Sequence, residues 1–222
     1  MKRLVAAPLL IIITPLLCGD TLHDLIASVR QGVIESRSAA ENGLKQLQRI
    51  EESDEQRQYS LIKPMRRDIP VGLGPALPLL GVPLDQLKNF DKLSNPDPLA
   101  ILIDTHHVLH VVLAGDEIVS VVEVVHRDPQ GWTTAALGQQ FVAERALDVI
   151  QTLHFPVAQT VLVKVGGLRL IFVGFERDGL LTLAPINDVP ELGLTKGMAT
   201  SALPLFRKLA PVARTIDGTI PN

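Results

Sequence analysis

The chain has 222 residues, 46% of them apolar, and a formal net charge of −3. A mildly acidic balance argues against nucleic acid as the main partner, since phosphate binding rests on clustered Lys and Arg. Cys18 is the only cysteine, which excludes disulfide stapling, Cys-based zinc sites and, once a leader ending there is removed, cysteine nucleophiles.

Residues 1–19 read as a secretory signal peptide. Lys2 and Arg3 precede an apolar run, Leu4–Leu17, interrupted by Pro8 and Pro15 and followed by Cys18-Gly19. The run is short for a membrane span, which needs about 20 residues. Cleavage after Cys18 or Gly19 puts a small residue at the last position, although Leu16 or Leu17 fits the third position back poorly. The alternative is a lipoprotein with Cys18 acylated, for which Leu17 is a bulky predecessor; a third reading keeps the segment as an uncleaved anchor. The expected address is therefore outside the cytoplasm, periplasmic or secreted, with Cys18 as a candidate membrane anchor.

Residues 20–63 are expected to form an N-terminal helical segment. Leu22, Leu25, Ile26, Val29 and Val33 recur at helical spacing, as do Leu44, Leu47 and Ile50, and Asp20 or Thr21 can cap the start. Gly32 and Gly43 leave open whether this is one helix or two. Such a stripe must lie on something: the protein's own sheet, a second copy or a partner's groove. Lys63, Arg66 and Arg67 form a small basic cluster without aromatic neighbours, read as a solvated turn.

Residues 64–98 carry seven prolines among Val71, Leu73, Leu77, Leu79, Leu80, Val82 and Leu84. This is too greasy for a flexible linker, and the segment reads as an irregular arm crossing the domain surface with its leucines buried. Gly72-Leu73-Gly74 lacks the flanking strand, helix and Lys-Ser/Thr of a phosphate loop.

Residues 99–213 read as an α+β domain, followed by a C-terminal tail, 214–222. Strands are expected at Leu99–Ile103, His107–Leu113, Ile118–His126 and Trp132–Thr134, with turns at Asp104–His106, Ala114–Glu117 and Arg127–Gly131. A helix from about Ala136 to Leu153 presents Leu137, Phe141, Val142, Ala146, Val149, Ile150 and Leu153. Strands Thr160–Val165, Leu168–Phe175 and Leu180–Ile186 follow, joined through Gly166-Gly167 and Asp178-Gly179, dipeptides suited to hairpin turns. A last helix, about Ala199–Leu209, starts near Thr200 or Ser201, with Pro204 in its first turn. The fold class is thus α+β: a mainly antiparallel sheet of about six to seven strands, one helix inserted between two meanders, and helices at both ends. The element order resembles that of sensor-like scaffolds of the profilin and roadblock class, a likeness of order that implies no function. In Val108–Leu113, Ile118–Val125 and Leu168–Phe175 both alternating faces are apolar, so both faces of the sheet need cover.

Motifs for chemistry are sparse. Asp104, His106, His107 and His110 are the histidine-dense patch, yet on a strand His107 and His110 point opposite ways, so no metal ligand set is assigned. Ser120 sits mid-strand among valines without a nucleophile elbow. Glu123 and Glu144 are the acids set inside apolar elements, His126-Arg127-Asp128 suits an ion pair at a turn, and Trp132 reads as a core cap.

The reading is an exported, non-catalytic binding or interaction module without a cofactor, catalytic residue or metal. Its contact residues would be Leu22, Leu25, Ile26 and Val29 on the N-terminal stripe and Leu77, Leu79, Leu80 and Leu84 on the arm. The partner would be a protein or a second copy. One alternative is a carrier or sensor of an apolar small molecule held between sheet and arm; another is a hydrolase using Asp104, His107 and His110.

Overall fold

The computed structural model describes residues 22–52 and 69–216. The leader with Cys18, the cluster Lys63, Arg66 and Arg67, most of the tail and the side chain of Leu22 lie outside the described residues.

The N-terminal stripe forms one helix, α1 (Leu22–Glu52), rather than two. Its glycines mark close approach rather than breaks. A Cβ on Gly43 would lie 2.4 Å from Val122 Cγ1, and one on Gly32 would lie 3.1 Å from the Trp132 ring. Both glycines face the sheet, where a side chain would push the helix off it.

The arm reading is corrected for residues 71–81. They form β1 (Val71–Gly81), an interior strand of the sheet and not a surface crossing. The leucines are buried, as expected, but by taking up strand geometry. The prolines are accommodated where no ladder donor is needed. Pro75 falls in the register break between Leu73 and Ala76, and Pro78 precedes the point, Leu79, where pairing with the second neighbour begins. After β1 come a short helix, α2 (Leu84–Asn89), and a 3₁₀ turn at Leu99–Ile101 where a strand was expected.

The expected turn at Asp104–His106 is likewise corrected. β2 (Ile103–Ala114) runs through it, and Thr105 and His106 form a bulge between the pairs Leu80–Asp104 and Leu79–His107, with His106 at φ 55°. β3 (Glu117–Arg127) and β4 (Gly131–Leu137) follow as a meander. α3 (Gln140–Thr152) starts later than its apolar pattern suggests, because Ala136 and Leu137 still belong to β4. Phe141, expected on its apolar face, is 55% exposed. The second meander is β5 (Thr160–Val165), β6 (Leu170–Arg177) and β7 (Leu180–Pro185). Gly166–Leu168 is a 3₁₀ turn instead of a two-residue hairpin, whereas Asp178-Gly179 is the expected tight turn, both residues at positive φ. A short β8 (Thr200–Ser201) leads into α4 (Ala202–Arg214), with Pro204 in its first turn.

Among the described residues the protein is therefore α+β, with four α-helices and one sheet of order β4-β3-β2-β1-β5-β6-β7-β8. Neighbours are antiparallel except β1 and β5, which run parallel over Leu79–Gly81 only. The count exceeds the expected six to seven strands because β1 came from the arm and β8 is two residues long.

Both faces of the sheet are covered. α1 lies on β1–β4, burying Ala39, Ala40 and Leu47 against Val108, Val112, Val122 and Val124. On the same face α2 and α4 cover the other half, with Phe90 and Phe206 edge to face at 5.6 Å above Val161, Val163 and Phe172. α3 covers the opposite face, over Leu77, Leu109, Val111, Val121 and Phe175. Alternation within a strand does the sorting: in β6, Phe172 goes to one cluster and Val173 and Phe175 to the other. Among the described residues no helix is long and apolar enough to cross a membrane.

Candidate functional site

The histidines of β2 separate as their spacing predicts. His107 and His110 are three residues apart on a strand, so they project to opposite faces. On the α3 face, His107 Nδ1 lies 2.6 Å from Glu123 Oε1, and Gln139 Nε2 donates to Glu123 Oε2 at 2.8 Å. The carboxylate thereby orients a half-buried imidazole, to which no serine or threonine among the described residues is hydrogen-bonded.

On the α1 face, His110 is 3% exposed and its Nε2 lies 2.9 Å from the hydroxyl of Ser36, which is fully buried. The hydroxyl also donates to the Val33 carbonyl at 3.1 Å. With its proton committed there, the neutral ring donates from Nε2 to Oγ. This is the reverse of a nucleophile–base pair, where serine must donate to histidine. Burial, reinforced by the Arg37 charge, pushes the His110 pKa down to about 4. The pair acts as a polar pin between α1 and β2.

The third member of the proposed hydrolase patch, Asp104, accepts the backbone N–H of His106 at 2.7 Å, and its other oxygen is 3.4 Å from His106 Nδ1. The structure therefore does not bring Asp104, His107 and His110 into one site. His106, His126 and Trp132 form a chain of rings at the end of the sheet, with His126 against Trp132 at 5.4 Å. Trp132 caps the contact between α1 and the sheet, its Nε1 3.4 Å from Glu35 Oε2. Hydrogen bonds from Gln31 first and Trp132 second hold the Glu35 carboxyl below its ordinary pKa. His126 and Asp128 stand 3.9 Å apart, the turn pair expected from the sequence. No group of three or more His, Cys, Asp or Glu among the described residues is placed to hold a metal ion. Ser120 is buried and its hydroxyl lacks a hydrogen-bond partner among the described residues.

The open feature lies on the other flank of α1. β1 runs past the start of β5, so its first half has β2 on one side and, among the described residues, no strand on the other. α1 crosses this gap. A groove of about 430 Å³ results, walled by Val33 and Ile34 of α1, by Pro75, Ala76 and Pro78 of β1, and by the 157–160 segment. Arg30 lines it at the edge shared with a second cavity of about 460 Å³, which Ile26, Phe155, Glu176 and Asp178 also line. Arg30 is half-buried, and its Nε is covered without a hydrogen-bond partner among the described residues. Ile34 is 70% exposed at the rim.

The contact residues expected from the sequence divide. Val29, Leu77 and Leu80 are buried by the chain's own elements; Leu25, Ile26 and Leu84 pack at the margin of the α4 cluster, and Leu79 at that of the α3 cluster. Of these, Ile26 also lines a cavity. Sequence reasoning missed Ser36 and the Arg30–Ile34 groove. Ser36 had a signal: it is the hydroxyl set in the stripe Val29, Val33, Ala40 and Leu47, and a polar side chain on a buried stripe needs a partner. The groove had none, because it joins segments far apart in the chain.

No family model matches the chain, and neither a curated protein nor a solved structure does. The likeness in element order to the profilin and roadblock scaffolds thus gains no support from a structural neighbour.

Proposed function

We propose that the protein is a non-catalytic binding module, exported by its leader, whose binding surface is the groove between α1, β1 and the start of β5. The observation that carries this reading is the incomplete β1–β5 pairing, which leaves an apolar groove beside Arg30 and the exposed Ile34. Concave, mainly apolar sites of about 300–1,000 Å³ with a few polar groups are the usual form of ligand sites. The separation of Asp104, His107 and His110 weighs against the hydrolase reading, and the sealed Ser36–His110 pair offers no substitute. The contact residues proposed move from the original stripe and arm leucines to Ile34, Val33 and Ala76. An apolar small molecule fits this groove better than a protein strand, which brings the carrier reading ahead of the protein-partner one.

Emission of the neutral apolar dye Nile red tests this. It is expected to rise and shift to the blue with the parent protein and to do neither with Ala76→Trp, which fills the groove. Unchanged dye binding by a folded Ala76→Trp would place the apolar site elsewhere.

A further inference from the structure

We infer that the groove takes an amphipathic carboxylate, an acyl chain lying along its walls with the head group on Arg30. This rests on the groove being the binding surface and adds the chemistry of the ligand.

Two observations define that chemistry. The walls contributed by α1 and β1 beyond Arg30 are Val33, Ile34, Pro75, Ala76 and Pro78, without an acid or a second cation. At the edge stands a guanidinium whose Nε is covered and unpaired, and Arg30 forms no ion pair among the described residues. The covered Nε leaves no room for a ligand atom, so a carboxylate would pair with the outer guanidinium nitrogens, whose fork matches it in geometry. Glu176 and Asp178 line the neighbouring cavity, not this one. Arg30 is the charged residue lining this groove, and that sets the polarity: head at Arg30, tail toward Pro75 and Ala76. An added peptide strand is disfavoured, because Pro75 and Pro78 lack the N–H groups that strand addition pairs with.

The test is calorimetric titration with dodecanoate and with dodecanol, below their aggregation limits, which share a tail and differ in the head. The parent is expected to bind dodecanoate about tenfold more tightly than dodecanol. Arg30→Gln should retain dodecanol binding and lose that preference, and a matching thermal melt shows its fold intact. Equal affinity of the parent for the two, or a preference surviving in Arg30→Gln, overturns the head-group assignment while leaving the groove. A failure of the parent to bind either molecule overturns both. Ala76→Trp separates the groove from the ligand: it should abolish both affinities, and retained binding shows that the site is elsewhere.

Discussion

The two flanks of β1 are built differently. Toward β2 the ladder runs from Val71 to Gly81, and α1 seals it with Ala39, Ala40, Leu47 and the Ser36–His110 pin. Toward β5 the ladder covers only Leu79–Gly81, and the same helix spans the gap with Arg30, Val33 and Ile34. One helix thus presents a paired polar group on the closed side and an unpaired one on the open side. On the closed flank the Ser36–His110 pair is satisfied, while Ser120, also buried there, has no hydrogen-bond partner among the described residues. On the open flank a guanidinium without an ion pair among the described residues and an exposed isoleucine stand at the groove. Structural and binding roles are separated by about one helical turn.

The largest loss is expected on the sealed side. Leu47→Ala should cost about 3 kcal/mol, since Leu47 is fully buried, whereas Ile34→Ala should change stability by less than about 0.5 kcal/mol. Denaturant midpoints of the two variants check this, and equal losses would remove the distinction between flanks.

Acid attacks the same side. His110 has a folded pKa of about 4, against 6.5 for the free side chain. Above pH 6.5 the ring is neutral in both states and its contribution is complete. As the pH falls from 6.5 to 4 the unfolded chain takes up a proton that the folded protein refuses, so stability declines, by up to about 3 kcal/mol. Melting temperatures measured across this range should fall less steeply in His110→Leu, where Ser36 still has the Val33 carbonyl. A parallel decline in both proteins would clear His110 of the effect.

A smaller loss is expected at Gly43. Gly43→Val drives a side chain into Val122 and Thr134 and should cost about 2 kcal/mol by lifting α1, despite the better helix propensity of valine over glycine. Smallest of all is Ile34→Asp, with stability within about 0.5 kcal/mol of the parent and Nile red binding strongly reduced. A variant that binds the dye normally would show that the rim takes no part.

Much of the fold is legible in the residues. Two-faced apolar strands, the Asp178-Gly179 turn and the helical stripes at both ends specify a covered α+β sheet. What escaped was β1, because prolines at 75 and 78 read as strand breakers until the register break and the missing β5 partner show that their N–H groups are not required. The same prolines concealed the groove, which exists only because that partner strand begins too late. The opposite orientation of His107 and His110 followed from strand periodicity alone. The hydrogen bond from His110 to Ser36 could not, since it joins residues 74 apart.

The most direct test of the account is amide NMR of the folded protein titrated with dodecanoate. Shift changes concentrated at Arg30–Ile34, Ala76 and Val157–Thr160 are the predicted result. Changes centred on His106, His126 and Trp132, or none at all, would contradict it.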